Sequence, residues 1–228
     1  MTSAFDKYDK SYEQVVQDSI AFSGLKHDFF MVAKAQRLAA LFKRQFGDRR
    51  PALIDIGCGI GRLHPLLVPI CSTVAGCDPS ADCIAQARVA NPAIDYQQGD
   101  GQRLNRAERT FDVALAVCVY HHLLPAERAA LTAEMRRVVR PGGLIVIIEH
   151  NPWNPLTRLA VARCPFDHDA VLLDWRESRQ LLAEGGLTLA QSEHFLLLPF
   201  SNSLAARIEH GLGAWPVGAQ YMTWGQVQ

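Results

Sequence analysis

No apolar run in this chain approaches the ~20 residues that a membrane-crossing helix needs, and the opening residues, MTSAFDKYDKSYEQ, are charged and carry no apolar leader segment. Net charge is missing too. Lys and Arg number 23 and so do Asp and Glu, which leaves no global field to draw the chain to nucleic acid or anionic lipid. The basic clusters at Arg49-Arg50, 103–109 and 136–140 have no interleaved aromatics for base stacking and read as surface. The six cysteines, at 58, 71, 77, 83, 118 and 164, form no C-x-x-C pair and have no histidine at metal-ligand spacing. They are expected to be buried small hydrophobes, with no metal site. Internal repeats and low-complexity segments are absent. These absences predict a soluble cytoplasmic monomer or homodimer whose partner is a small neutral or zwitterionic molecule, with no membrane or nucleic-acid partner.

What the chain does have is a pocket-forming turn. Leu53 to Gly61 reads LIDIGCGIG, an apolar run that ends in an acid and passes at once into glycines at 57, 59 and 61. This is the pattern of a buried strand turning tightly into a helix. Glycine reaches positive φ without strain and lets backbone approach a ligand, while a helix start presents unpaired N–H groups. The spacing differs from the dinucleotide fingerprint, which needs a glycine where this chain has Arg62. With 228 residues and 49% apolar side chains, the whole fits one α/β domain.

Taken in order, residues 5–46 read as helical with a break near Ser23-Gly24, and one apolar face that includes Phe29, Phe30, Leu38, Leu41 and Phe42. Tyr8 to Asp28 is placed either as packing or as a lid over the pocket. Strands are predicted at 52–56, 72–77, 94–98, 110–119 and 144–148, and helices at 62–70, 81–90 and 125–139, with Arg140-Pro141-Gly142-Gly143 stopping the last of these. Strand followed by helix followed by strand implies parallel right-handed crossovers, so all strand ends share one edge. Asp78 ends the second strand 23 residues after Asp55, near the spacing at which a carboxylate meets two ribose hydroxyls. Asp100, between Gly99 and Gly101, is set beside it and suits an exocyclic amine. The charges of the 125–139 helix, Arg128 among them, read as a solvated face. Further on, a helix at 173–185, a strand at 187–197, a helix at 201–211 and a strand at 218–227 follow an insertion at 151–174. That insertion is long for a simple connection and suits a substrate wall.

DIGCGIG, Asp78 at a strand end, the GDG at 99–101, FDVALAVCVYHHL and a helix closing on RPGG before a strand together resemble the class I S-adenosylmethionine-dependent methyltransferases over about residues 50–150. The stretches EHNPWNPLTR and CPFDHDAVLL are also similar to a segment of some bacterial small-molecule methyltransferases. The resemblance implies a Rossmann-like sheet of seven mostly parallel strands, with an antiparallel last strand, helices on both faces and an N-terminal helical lid. Residues 1–48 would form the lid, 49–150 the cofactor-binding core, 151–174 the substrate-side insertion and 175–228 the rest of the sheet. It implies S-adenosylmethionine as cofactor, with Asp55, Gly57, Gly59 and Gly61 at its methionine end, Asp78 on ribose and Asp100 with Gly101 by adenine. Val117, on the fourth strand, is counted with these.

His121 and His150 follow central strands on the ligand edge, and imidazole titrates near neutral pH, so they are the candidate general bases or acceptor-orienting groups. His122 is expected to contact substrate, cap the next helix or face the core. Tyr8, Phe30, Trp153 and Phe166 are the candidate apolar walls. A nicotinamide-dependent oxidoreductase is disfavoured by Arg62 and by the RPGG segment. A non-catalytic scaffold is disfavoured by the intact Asp55, Gly57, Gly59, Asp78 and Asp100. A nucleic-acid methyltransferase is disfavoured because the fourth strand leads into VYHH rather than an N-P-P-[YF] element.

Overall fold

A computed structural model describes residues 12–99, 103–197 and 215–228. The expected sites Tyr8, Asp100 and Gly101, and the expected helix at 201–211, lie outside the described residues. Helices α1 (Tyr12–Ile20) and α2 (His27–Phe46) come first, followed by β1 (Ala52–Ile56), α3 (His64–Leu67), β2 (Thr73–Asp78), α4 (Ala81–Ala90) and β3 (Asp95–Gln98). Then follow β4 (Phe111–Val117), α5 (Pro125–Val138), β5 (Val139–His150), α6 (Pro155–Arg163), α7 (Trp175–Glu184), β6 (Thr188–Phe195) and β7 (Gln220–Gln226). The strand order is β3-β2-β1-β4-β5-β7-β6. β7 runs antiparallel to both β5 and β6 and the others are parallel, as expected.

Period-two alternation along the central strands assigns the two faces. Leu53, Val113, Leu115, Leu144 and Val146 pack on one side with Leu38, Leu41 and Phe42 of α2. Ile54, Ala114, Ala116, Ile145 and Ile147 pack on the other with Leu131 and Met135 of α5 and Leu182 of α7. Each large side chain so buried contributes about 1.5–3 kcal/mol before chain entropy is counted. No helix among the described residues is long and apolar enough to cross a membrane.

Local chemistry sets the element ends. Ser80 Oγ accepts from Cys83 N at 3.2 Å to start α4, and Asp174 accepts from Arg176 N and Glu177 N at 2.8 and 3.0 Å to start α7. At α5, Glu127 reaches back to Leu124 N at 2.9 Å, and Pro125 occupies the first turn, where no N–H is needed.

Three expectations need correction. The helix expected at 62–70 shrinks to α3, because Pro69 has no N–H to continue the ladder that Pro65 begins. RPGG does not precede the fifth strand but lies inside β5, where the pairing jumps from Phe111↔Val139 to Val113↔Leu144 and bulges out residues 140–143. Gly142 takes φ 82°, and a Cβ on Gly143 would lie 2.5 Å from Asp112 O. Finally, Arg128 is not solvated. It is 2% exposed and donates to Tyr120 O, Val171 O and Glu177, tying α5 to the loops before and after it.

Asp112 holds the opposite edge of the sheet. It accepts from Ala52 N at 2.8 Å and pairs with Arg49 at 2.9 Å and Arg140 at 3.3 Å. Burial raises its pKa, but the Ala52 N–H and the two guanidiniums outweigh that and hold it below the usual carboxylate range. A carboxyl whose folded pKa is depressed adds stability above its unfolded value, and that stability is lost as pH falls through the folded one. Asp112→Ala is therefore expected to cost about 1–3 kcal/mol by urea unfolding at neutral pH, with the difference from wild type shrinking below about pH 4. An undiminished gap in acid would refute this account.

Candidate functional site

The glycine turn after β1 is bound back over β2, with Gly57 N and Cys58 N both donating to Cys77 O at 2.8 and 3.1 Å. Gly57, Gly59 and Gly61 take φ of 70°, 53° and 73°, a region that other L-residues enter only with strain. Their surroundings differ. A Cβ on Gly59 would meet nothing within 4 Å, so this position opens onto free space, whereas one on Gly57 would lie 2.5 Å from Val119 Cγ2. A Cβ on Gly61 would collide with the Tyr96 hydroxyl and crowd His64. The absence of a Cβ on Gly61 thus makes room for packing beneath the turn.

Two buried carboxylates frame the turn. Asp78 Oδ2 accepts from Gly59 N at 2.8 Å and its Oδ1 from Ser80 N at 2.9 Å. Asp55 is 3% exposed. Its Oδ2 meets His64 Nε2 at 3.1 Å, His64 Nδ1 meets the Tyr96 hydroxyl, and Asp55 Oδ1 has no partner. A buried acceptor left unpaired is costly, and this one lies beside an open glycine turn. Cationic and hydroxylic ligand groups fit such a pair of acids. Arg62, just past Gly61, donates to Asp28 Oδ1 of α2 at 2.6 Å and fastens the N-terminal helices to the turn.

Beyond β4 and β5 lies a second constellation. Glu149, fully buried, accepts from Tyr120 N at 2.7 Å through Oε1 and meets His121 Nδ1 at 2.6 Å through Oε2. His121 Nε2 faces Asp167 Oδ1 at 3.3 Å, and His122 Nε2 lies 3.5 Å from the same oxygen. The His121 and His150 rings are 5.2 Å apart, and the His150 imidazole makes no hydrogen bond among the described residues. Burial disfavours a charged His121, but the Glu149 and Asp167 carboxylates outweigh it and hold its pKa well above the usual value. Burial and the charge of His121 push His122 and His150 down to about 4.

The structure therefore brings His121, His122 and His150 together. His121 is 1% exposed and bonded at both nitrogens. Val117 ends β4 half-buried against the α2-side core, and Phe30 packs partly on the same core. Phe166 adjoins Asp167 on its short turn, while Trp153 is 53% exposed under the Arg176 guanidinium. Sequence reasoning missed Glu149 and Asp167 as site residues, and Lys34 altogether. Lys34 is 4% exposed on α2, and its ammonium counteracts burial of the Cys118 thiol and disfavours a proton on His150. A lysine on the apolar stripe of α2 was the available signal. All six cysteines are free thiols, and burial raises Cys71 and Cys77 to about 12.

Residues 54–147 match the family model described as a methyltransferase domain. The chain is 33% identical over 113 residues to a ubiquinone biosynthesis O-methyltransferase of Rhizobium leguminosarum bv. trifolii, covering 48% of this chain and 44% of that protein. It is 29% identical over 110 residues to an uncharacterized methyltransferase of Synechocystis sp., covering 46% and 52%. The chain thus spans about half the length of these curated relatives. Among solved structures, a SAM-dependent methyltransferase of Thermotoga maritima, described as a possible histamine N-methyltransferase, aligns with a TM-score of 0.70 at 18% identity over 95% of this chain and 98% of that one. A SAM-dependent methyltransferase of Aquifex aeolicus aligns at 0.66 and 13% identity over 96% and 100%. Residues 54–147 are thus similar to a methyltransferase domain, whose cofactor is S-adenosylmethionine, and the solved structures share the class I fold that the sequence resemblance implied.

Asp78→Asn keeps the size of the side chain but removes its charge and turns one of its two acceptor oxygens into an NH2 donor. S-adenosylhomocysteine binding, read by calorimetry, is expected to weaken about tenfold or more, equivalent to ~1.4 kcal/mol. Unchanged affinity would remove Asp78 from the cofactor site.

Proposed function

We propose that the chain transfers the methyl group of S-adenosylmethionine to an oxygen, nitrogen or carbon atom of a small-molecule acceptor. The observation that supports this most directly is the adjacency of two differently built sites on one sheet edge. One is a glycine turn flanked by Asp55 and Asp78, and the other a histidine and carboxylate cluster at the ends of β4 and β5.

The cofactor, when bound, supplies a methyl carbon already made electrophilic by its sulfonium, so the protein's task is alignment and exclusion of water. Asp55 offers its unpaired Oδ1 to the methionine ammonium and Asp78 its carboxylate to the ribose hydroxyls. Asp100 and Gly101 remain proposed neighbours of the adenine. On the acceptor side, His150 is the imidazole without a hydrogen bond among the described residues, and it meets the acceptor's nucleophilic group. His121 keeps Asp167 in place, and Glu149 keeps His121 in place. Cover comes from α1, α2 and the insertion. Arg62 holds α2 near the turn, and the Arg163 guanidinium of α6 sits 5.1 Å from the Phe22 ring that follows α1. Such a hood over the junction suits an acceptor of modest size and supports the small-molecule reading over a polymeric substrate.

A screen of candidate metabolites with isotope-labelled methyl donor tests the activity. With an acceptor found, His150→Ala is expected to lower kcat at least tenfold while the affinity for S-adenosylhomocysteine stays within about twofold. A full-rate alanine variant would remove His150 from the mechanism.

A further inference from the structure

We propose that His121, His150 and Asp167 bind a divalent first-row transition-metal ion, with Glu149 as the outer carboxylate that orients His121. One donor atom from each of the three lies within 4.8 Å of the others. An ion with bonds of about 2.1 Å spaces its ligands about 3–4 Å apart, so the site closes on the ion with movements of less than about an ångström.

Four features distinguish this cluster from an incidental gathering of polar groups. The donors are two imidazoles and one carboxylate, a set that suits iron, zinc, cobalt or nickel and leaves further coordination positions open. They come from three separate segments, the turn after β4, the end of β5 and the short helical turn at Pro165–Asp167, so no single helix or loop accounts for their meeting. Glu149 is 0% exposed and pinned by Tyr120 N, and it engages His121 at Nδ1, which leaves Nε2 pointing at Asp167. A carboxylate behind a histidine is the arrangement that fixes tautomer and ring direction at metal centres. Lastly, the His150 imidazole has no hydrogen-bond partner among the described residues although it stands against the His121 ring. His122, whose Nε2 is 3.5 Å from Asp167 Oδ1, flanks the site.

Resting on the methyl-transfer reading, the ion's place on the acceptor side gives it a task. A hydroxyl acceptor that fills an open position gives up its proton to solvent near neutral pH, and the bound oxyanion keeps lone pairs with which to form the new O–C bond as the C–S bond breaks and S-adenosylhomocysteine leaves. The acceptor class that fits is a small molecule with an ionisable hydroxyl able to ligate a metal.

The full chain, stripped with a chelator and dialysed, is titrated with Co2+ and with Zn2+ and followed by calorimetry and by the visible absorption of bound Co2+. The expected result is one equivalent bound at micromolar affinity or tighter. Asp167→Asn and His150→Ala should each weaken binding at least tenfold, and Glu149→Gln about 10–100-fold. His168→Ala, which alters the exposed His168–Asp169 pair nearby, should leave it unchanged. Circular dichroism screens the variants for folding, and Asp167→Asn, half-buried on a short turn, serves if Glu149→Gln does not fold.

The proposal is overturned if the stripped wild type takes up no ion at tens of micromolar, or if Asp167→Asn and His150→Ala bind as wild type does. Glu149–His121–Asp167 would then be a metal-free clamp. S-adenosylhomocysteine titrated into the same stripped protein separates the two readings. Its binding without metal uptake defeats only the metal site, whereas metal uptake without its binding defeats only the methyl-transfer reading.

Discussion

Carboxylates buried at the tips of parallel strands impose the local order of this protein. A charge removed from water must be paired or surrounded by donors, and Asp55, Asp78 and Glu149 each meet that demand by fixing a loop. Asp55 holds His64 in the turn of α3, Asp78 collects the N–H groups of Gly59 and Ser80, and Glu149 gathers Tyr120 N and His121. Each acid therefore determines where the chain goes after leaving a strand, and the loops so determined line the ligand edge.

The two halves of the edge are built on different principles. The half around β1 and β2 is made of backbone, with glycines at positive φ and N–H groups turned toward acids, and offers little side-chain bulk. The half around β4 and β5 is made of side chains, with three histidines and two carboxylates in mutual contact. A backbone cradle suits the cofactor of the proposed reaction, and a side-chain cluster suits its acceptor. Lys34 adds a buried cation from α2 to this second half, so the N-terminal helices contribute charge as well as cover.

Arg128 shows why such features escape a linear reading. On the helix pattern it belongs among Glu127, Glu134, Arg136 and Arg137, an ordinary solvated face. It is buried because α7 and the segment at Val171 fold over it and supply Glu177 and a carbonyl. The same distance in sequence hid Asp167, which is 46 residues from His121, and made the RPGG segment read as a stop when it is a bulge inside β5. Gly61 was legible as a requirement for glycine but not for its cause, since Tyr96 crowds it from the third strand.

Periodicity and turn chemistry are local, and what depends on them was settled by the order of residues alone. That covers the alternation of strands and helices, the parallel crossovers, the glycine turn and the acid at the end of β2, while the reversed last strand was what the family resemblance implied. The family resemblance followed from the spacing of those elements. Contacts between segments far apart in the chain carry no local signature, because burial and pairing depend on what the fold brings alongside. Only tertiary structure could decide that His121 lies between Glu149 and Asp167, that His150 completes a cluster with them, and that Lys34 and Arg128 are interior charges.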